Sequence, residues 1–222
     1  MKKILPFTSL VILCIATLPA MAQLDSVINL PNFLLPNFTR SVIKFKDNSE
    51  NKVGMLNYNV VDEELIFQQP DAYMVLDNPE VIDTVFMGSG KFVPVNKAFY
   101  EVIMEGTLPL FIQHKSNAEP AGVTKGYGLT SQTSGGQYQR QVYGATGIVS
   151  LSVPDNFKIV DDSYYWVKKD GEMQKFNGKR QFLKIFKDKE KEITAYIDKE
   201  SISFKKKFDV MRLVSFCSEF KK

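Results

Sequence analysis

The sequence predicts an α+β fold in which an antiparallel, sandwich-like or strongly curved β body is followed by a C-terminal set of short helices. Three observations carry this. Residues 41–115 form short apolar/polar alternations separated by turn-forming clusters, the pattern of half-buried antiparallel strands. Asp170-Gly171 sits between Tyr164-Tyr165-Trp166-Val167 and Met173-Gln174-Lys175-Phe176, a two-residue hairpin signature in which both turn residues tolerate positive φ. After residue 177 the apolar spacing changes from two to i, i+3, i+4, which is helical.

The chain begins with the plan of an export leader. Lys2-Lys3 is followed by an apolar run over 10–18 and by Ala20-Met21-Ala22, which predicts cleavage before Gln23. The run is shorter than the ~20 residues that span a bilayer, and no later stretch is long and apolar enough to do so. Removal of 22 of the 222 residues leaves 200, enough for one domain with a sizeable core. Cys217 is then the only cysteine, so packing rather than an internal disulfide must stabilise the exported chain. Its neighbours Leu213, Val214 and Phe220 mark it as a buried small hydrophobe.

Residues 23–40 read as an extended arm. Leu30-Pro31-Asn32-Phe33 recurs as Leu35-Pro36-Asn37-Phe38, and prolines so close exclude a regular helix or a central strand. The β-rich body is expected over 41–176, with strands at 41–46, 52–58, 64–69, 72–76, 82–87, 91–95, 99–104 and 108–115. Residues 116–139, with five glycines among Ser, Thr and Gln, read as a flexible loop. Strand signals resume at 140–143, 147–153 and 157–160.

If Lys169 faces Glu172 in the hairpin, Tyr165 lies opposite Phe176 with Val167 on the same face, while Tyr164, Trp166 and Met173 share the other. Both faces are apolar, so both are expected to be covered, with the aromatics, Trp166 among them, holding the helices against the body. Residues 177–222 are a basic helical tail. Phe182, Ile185 and Phe186 follow Asn177 as a candidate cap; Ile193, Tyr196 and Ile197 follow Asp188; Val210, Leu213, Val214, Cys217 and Phe220 form the longest stripe.

Gly54-Met55-Leu56-Asn57-Tyr58-Asn59 with Glu64-Leu65-Ile66-Phe67, Phe92-Val93-Pro94-Val95, and Tyr165-Trp166-Val167-Lys168-Lys169-Asp170-Gly171 leading to Lys179-Arg180-Gln181-Phe182-Leu183-Lys184-Ile185-Phe186 together resemble a group of uncharacterised exported proteins of Gram-negative bacteria. The resemblance covers most of the exported chain. It implies export and a continuous fold, and it carries over no activity and no site.

Charge is unevenly placed. Residues 23–167 hold 10 Lys/Arg against 16 Asp/Glu, a net of −6, whereas residues 168–222 hold 16 against 9, a net of +7. Body and tail are expected to attract each other, and Lys205-Lys206-Lys207 are the candidate contact with an anionic envelope component or a protein partner. Nucleic acid is not expected, since no recognition motif accompanies the charge. His114 is the single histidine, which excludes a multi-histidine metal site. No nucleophile elbow, phosphate loop or calcium-loop spacing occurs, and no cofactor or catalytic residue is assigned. His114 and Tyr127, the latter between Gly126 and Gly128, are the candidate ligand-binding positions. The expected function is non-catalytic binding at the cell envelope, in the periplasm or at the surface. The alternative is an exported hydrolase with a site near His114 and the 116–139 loop.

Overall fold

A computed structural model describes residues 30–76, 78–121, 123–125, 129–131, 142–143, 148–149, 151, 153–154 and 156–221. The expected leader lies outside the described residues, as does Tyr127. The strands are β1 (Thr39–Phe45), β2 (Lys52–Asn59), β3 (Glu64–Gln68), β4 (Tyr73–Val75), β5 (Ile82–Met87), β6 (Gly90–Val95), β7 (Ala98–Met104), β8 (Leu110–Gln113), β9 (Ser116–Pro120), β10 (Val123–Lys125), β11 (Leu129–Ser131), β12 (Val142–Tyr143), β13 (Ile148–Val149), β14 (Phe157–Asp161), β15 (Tyr164–Lys169) and β16 (Glu172–Phe176). The helices are α1 (Lys179–Ile185), α2 (Glu190–Lys199) and α3 (Lys207–Ser218).

Twelve of the strands form one antiparallel sheet in the order β12-β13-β4-β3-β2-β1-β5-β6-β7-β8-β15-β16. The fold is therefore α+β, and its body is one curved sheet, with β3 brought round to approach β7. Turn chemistry sets the reversals. Asn48, Asn96 and Asp170 take positive φ, and Gly171 follows Asp170 at φ 86°, the paired left-handed conformation of the expected hairpin turn. Asn59 Oδ1 accepts from the backbone N–H groups of Val61 and Asp62 and closes the β2–β3 turn. At Gly54 a Cβ would come 2.4 Å from the ring of Phe67, so the close approach of that ring requires a glycine.

The strand register defines two faces. One row of directly paired residues runs Ile43, Val85, Phe92, Glu101, Ile112, Tyr165, Phe176 across seven strands. On this inner face the curved sheet encloses a core of Ile43, Leu56, Tyr58, Leu65, Val85, Phe92 and Phe99. Beyond β7 the same face is covered by helices, where Leu110, Val167, Phe176, Phe182, Ile193, Val210, Leu213, Val214 and Cys217 form a second core. The expected helical stripes are thus packing positions, and Cys217 is buried. Its thiol is pushed up to about 12 by burial.

The hairpin has the expected register, Tyr165 opposite Phe176 and Lys169 opposite Glu172. It continues the sheet as its last two strands. Tyr165, Val167 and Phe176 contact the helical core, and Phe176 meets Phe182 at 4.9 Å between ring centroids. Trp166, expected to hold the helices, points the other way: it packs against Tyr100 and donates from Nε1 to Gln113 Oε1 at 2.9 Å. The α1 start also differs, since Gly178 rather than Asn177 is the N-cap; the Asn177 N–H instead donates to Gln181 Oε1.

The expected arm, 23–40, is described from Leu30. It docks by donating from Leu34 N to Tyr58 O and by accepting at Asn32 O from Val60 N. Phe33 and Phe38 cover the outer face over Ile66 and Tyr73, while Leu34 and Leu35 reach the inner core. Within 116–139, expected as a flexible loop, β9 pairs along its whole length with β14, and β10 pairs with β11. Pairing with a partner about forty residues away overrides a composition that carries no alternation. Between β8 and β15 the chain forms the separate ladders β9–β14 and β10–β11 and adds β12 and β13 to the far edge of the main sheet at β4, after which β15 pairs directly with β8.

Candidate functional site

On the inner face, Glu101 is a polar group that meets both the sheet and the helical tail. Strand β7 places it between Phe99, in the core enclosed by the sheet, and Ile103 and Met104, which pack against the helical core. This is the seam where one apolar cluster gives way to the other. A carboxylate can be accommodated at such a seam only with partners, because burial penalises its charge. His114, just beyond β8, supplies one, with Nε2 at 2.7 Å from Glu101 Oε2. Lys207, the first residue of α3, supplies the other, donating from Nζ to Oε1 at 2.7 Å. Glu101 is 12% exposed, His114 17% and Lys207 42%. Burial pushes the Glu101 carboxyl up, but the hydrogen bonds and charges of His114 and Lys207 outweigh it and hold the group below the ordinary carboxylate range.

Two residues nominated separately, His114 and Lys207, thus meet on a carboxylate that sequence reasoning did not nominate. The signal was available only as register: Glu101 is the one charged member of the seven-residue inner row. The arrangement ties the basic tail to the acidic body, as the charge separation predicts.

A second network lies at the ends of β2, β8 and β15. Glu63 accepts from Lys115 Nζ at 2.6 Å and from Gln113 Nε2, which connects it to Trp166. Burial, then the charge of Glu63, raises the phenols of Tyr58 and Tyr100. These contacts close the curved sheet, together with the Ser116 N–H donating to Val60 O at 2.7 Å.

The Lys205-Lys206-Lys207 segment forms an exposed corner between α2 and α3. Ser201 at φ 52° ends α2, and the Ile202 N–H donates back to Ile197 O. Asp209 Oδ2 accepts from Ser203 N at 3.1 Å, and Arg212 bonds both Asp209 and Glu200. Phe204 is anchored inward against Phe176 and Phe182. Four residues on, Phe208 is 75% exposed, the most exposed large apolar side chain among the described residues. Among the described residues Lys205 and Lys206 have no carboxylate within ion-pair distance, whereas Lys207 is held by Glu101.

Three concavities bear on a small-molecule site. One of about 780 Å³ runs along Lys187 to Asp198, one of about 500 Å³ surrounds the β1–β2 turn, and one of about 190 Å³ lies beside Phe38 and Tyr73. His114 lines none of the three. Among the described residues no group of three or more His, Cys, Asp or Glu side chains could hold a metal ion. No described helix is long and apolar enough to cross a membrane.

Fold and site define an α+β chain whose curved sheet carries a helical tail joined to it through a partly buried carboxylate. Comparison with protein-family models, with curated proteins and with solved structures finds no match to this chain.

Proposed function

We propose that this is an exported, non-catalytic binding protein of the cell envelope that meets an anionic partner through the corner at Lys205, Lys206 and Lys207. The observation that carries the reading is the division of labour among the three lysines: Lys207 is occupied by Glu101, while Lys205 and Lys206 are exposed beside Phe208. A cation spent on an internal carboxylate positions the corner, and the two beyond it are available to a partner. The leader pattern of Lys2-Lys3 and Ala20-Met21-Ala22 and the resemblance to exported proteins of Gram-negative bacteria support the location. Lys205→Glu combined with Lys206→Glu leaves the Glu101 contact in place. It should lower the recovery of envelope partners in pull-downs, and wild-type recovery should fall as salt rises. Equal recovery of wild type and variant at every salt concentration would sink the proposal.

A second reading, an exported hydrolase using His114 and the 116–139 segment, has one observation in its favour: Glu101 orients the imidazole through Nε2, as a carboxylate orients a general base. It requires that a measured turnover be lost in His114→Ala or on trimming 116–139, and retention in both variants removes it.

A further inference from the structure

We propose that Lys205, Lys206 and Phe208 form a docking point for an anionic phospholipid surface; the inference rests on the binding function above and names its partner class. Phe208 is 75% exposed, yet it stands on a corner that is otherwise fixed. Phe204 points into the helical core, Asp209 caps Ser203, Arg212 bridges Asp209 to Glu200, and Lys207 is held by Glu101. Holding a large ring in water on a rigid support leaves apolar area uncovered and gains nothing for the fold itself.

The surroundings of the ring decide between a membrane and a protein as the occupant. Its exposed neighbours on the corner and along α3 are Lys205, Lys206, Lys207, Arg212 and Ser215, all polar; Lys207 is paired with Glu101 and Arg212 with Asp209 and Glu200, which leaves Lys205 and Lys206 as the cations with no ion-pair partner among the described residues. A stable protein interface needs a fully buried, charge-depleted apolar core inside a polar rim, and a single ring flanked by two lysines does not supply one. A lipid headgroup layer suits this arrangement. One aromatic ring enters the interface while flanking lysines remain at the level of the phosphates, their methylene stems lying along the apolar boundary. Charge complementarity then selects anionic over zwitterionic lipid, each lysine near such a surface strengthening binding about fivefold. The docking is peripheral, and the lysine that belongs to the fold, Lys207, fixes the angle at which α3 presents the ring.

The test is co-sedimentation of the chain from Gln23 onward, which holds every described element, with extruded vesicles. One set mixes phosphatidylglycerol with phosphatidylcholine and the other is phosphatidylcholine alone. Binding is expected to the anionic set, weakening as salt rises. Phe208→Ala should reduce it roughly tenfold and Lys205→Glu with Lys206→Glu by at least twentyfold. Arg40→Glu with Lys44→Glu, on the outer sheet face, should leave it unchanged. Phe208→Trp should shift its added emission to shorter wavelength with the anionic vesicles. Equal sedimentation with both vesicle sets, no sedimentation with either, or equal loss in the Arg40/Lys44 variant overturns the inference. If vesicles fail while envelope pull-down still depends on Lys205 and Lys206, the binding function stands and the lipid partner falls.

Discussion

Replacing Glu101 by Gln keeps the shape of the side chain and removes its charge, so it isolates what the carboxylate contributes. In the folded chain that carboxylate accepts from His114 and Lys207 at 2.7 Å each. A hydrogen bond to a charged group contributes about 1.5–3 kcal/mol when sheltered. The Lys207 contact is discounted because that side chain is 42% exposed, and a neutral amide retains part of each bond, which leaves an expected loss of about 2 kcal/mol. For a chain of this size that corresponds to a fall in Tm of about 4–8 °C. The pH dependence is specific. Because the folded-state carboxyl is held below its ordinary value of 4.5, its contribution is fully present above that value and is lost as pH falls through the lower folded value. The gap between wild type and Glu101→Gln in urea unfolding should therefore be full at neutral pH and shrink as the pH falls below 4.5. A gap below about 0.5 kcal/mol at neutral pH, or one that does not change with acidification, refutes the tether.

Other substitutions separate the two faces of the hairpin. Phe176→Ala should cost about 3–5 kcal/mol, because the ring is fully buried against Tyr165, Phe182 and Phe204. Limited proteolysis should then cut the helical tail before the sheet, and cleavage of both at equal rates would contradict the packing. Cys217, buried with its thiol pushed up to about 12, should react with an aromatic disulfide reagent only on unfolding; prompt reaction of the native chain would show that α3 opens.

Much of the sheet was legible because antiparallel strands write themselves as alternation. The strands of 41–115 lie close to the observed ones, and the Asp170-Gly171 turn specifies the register of β15 and β16 down to Tyr165 opposite Phe176. Alternation cannot say which face a neighbouring element will cover. Trp166 and Tyr165 are equally apolar in sequence, and only the placement of α1 to α3 makes Tyr165 the one that meets the helices. β9 was hidden because Ser116-Asn117-Ala118-Glu119-Pro120 carries no apolar period and becomes a strand through β14. Glu101 reads locally as the polar residue between Tyr100 and Val102, and its partners lie 13 and 106 residues away. Phe208 directly precedes the stripe of Val210, Leu213 and Val214 and is as apolar as they are, so its exposure is decided only by which side α3 turns to the core.

The excursion between β8 and β15 has a consequence for how the chain can change. The ladder that joins these strands, Gln113 to Tyr164 through Leu110 to Val167, closes a loop of roughly fifty residues whatever the path taken between them. The entropy of such a closure grows only logarithmically, so doubling the length of the excursion would cost only about 0.6 kcal/mol. The junction of sheet and helical tail could therefore survive a change of length between the strands of the intervening segment, while β12 and β13 within it remain tied to the sheet edge at β4. The joint at β8 and β15 is held by its own ladder, while its insert is anchored at the opposite edge of the same sheet.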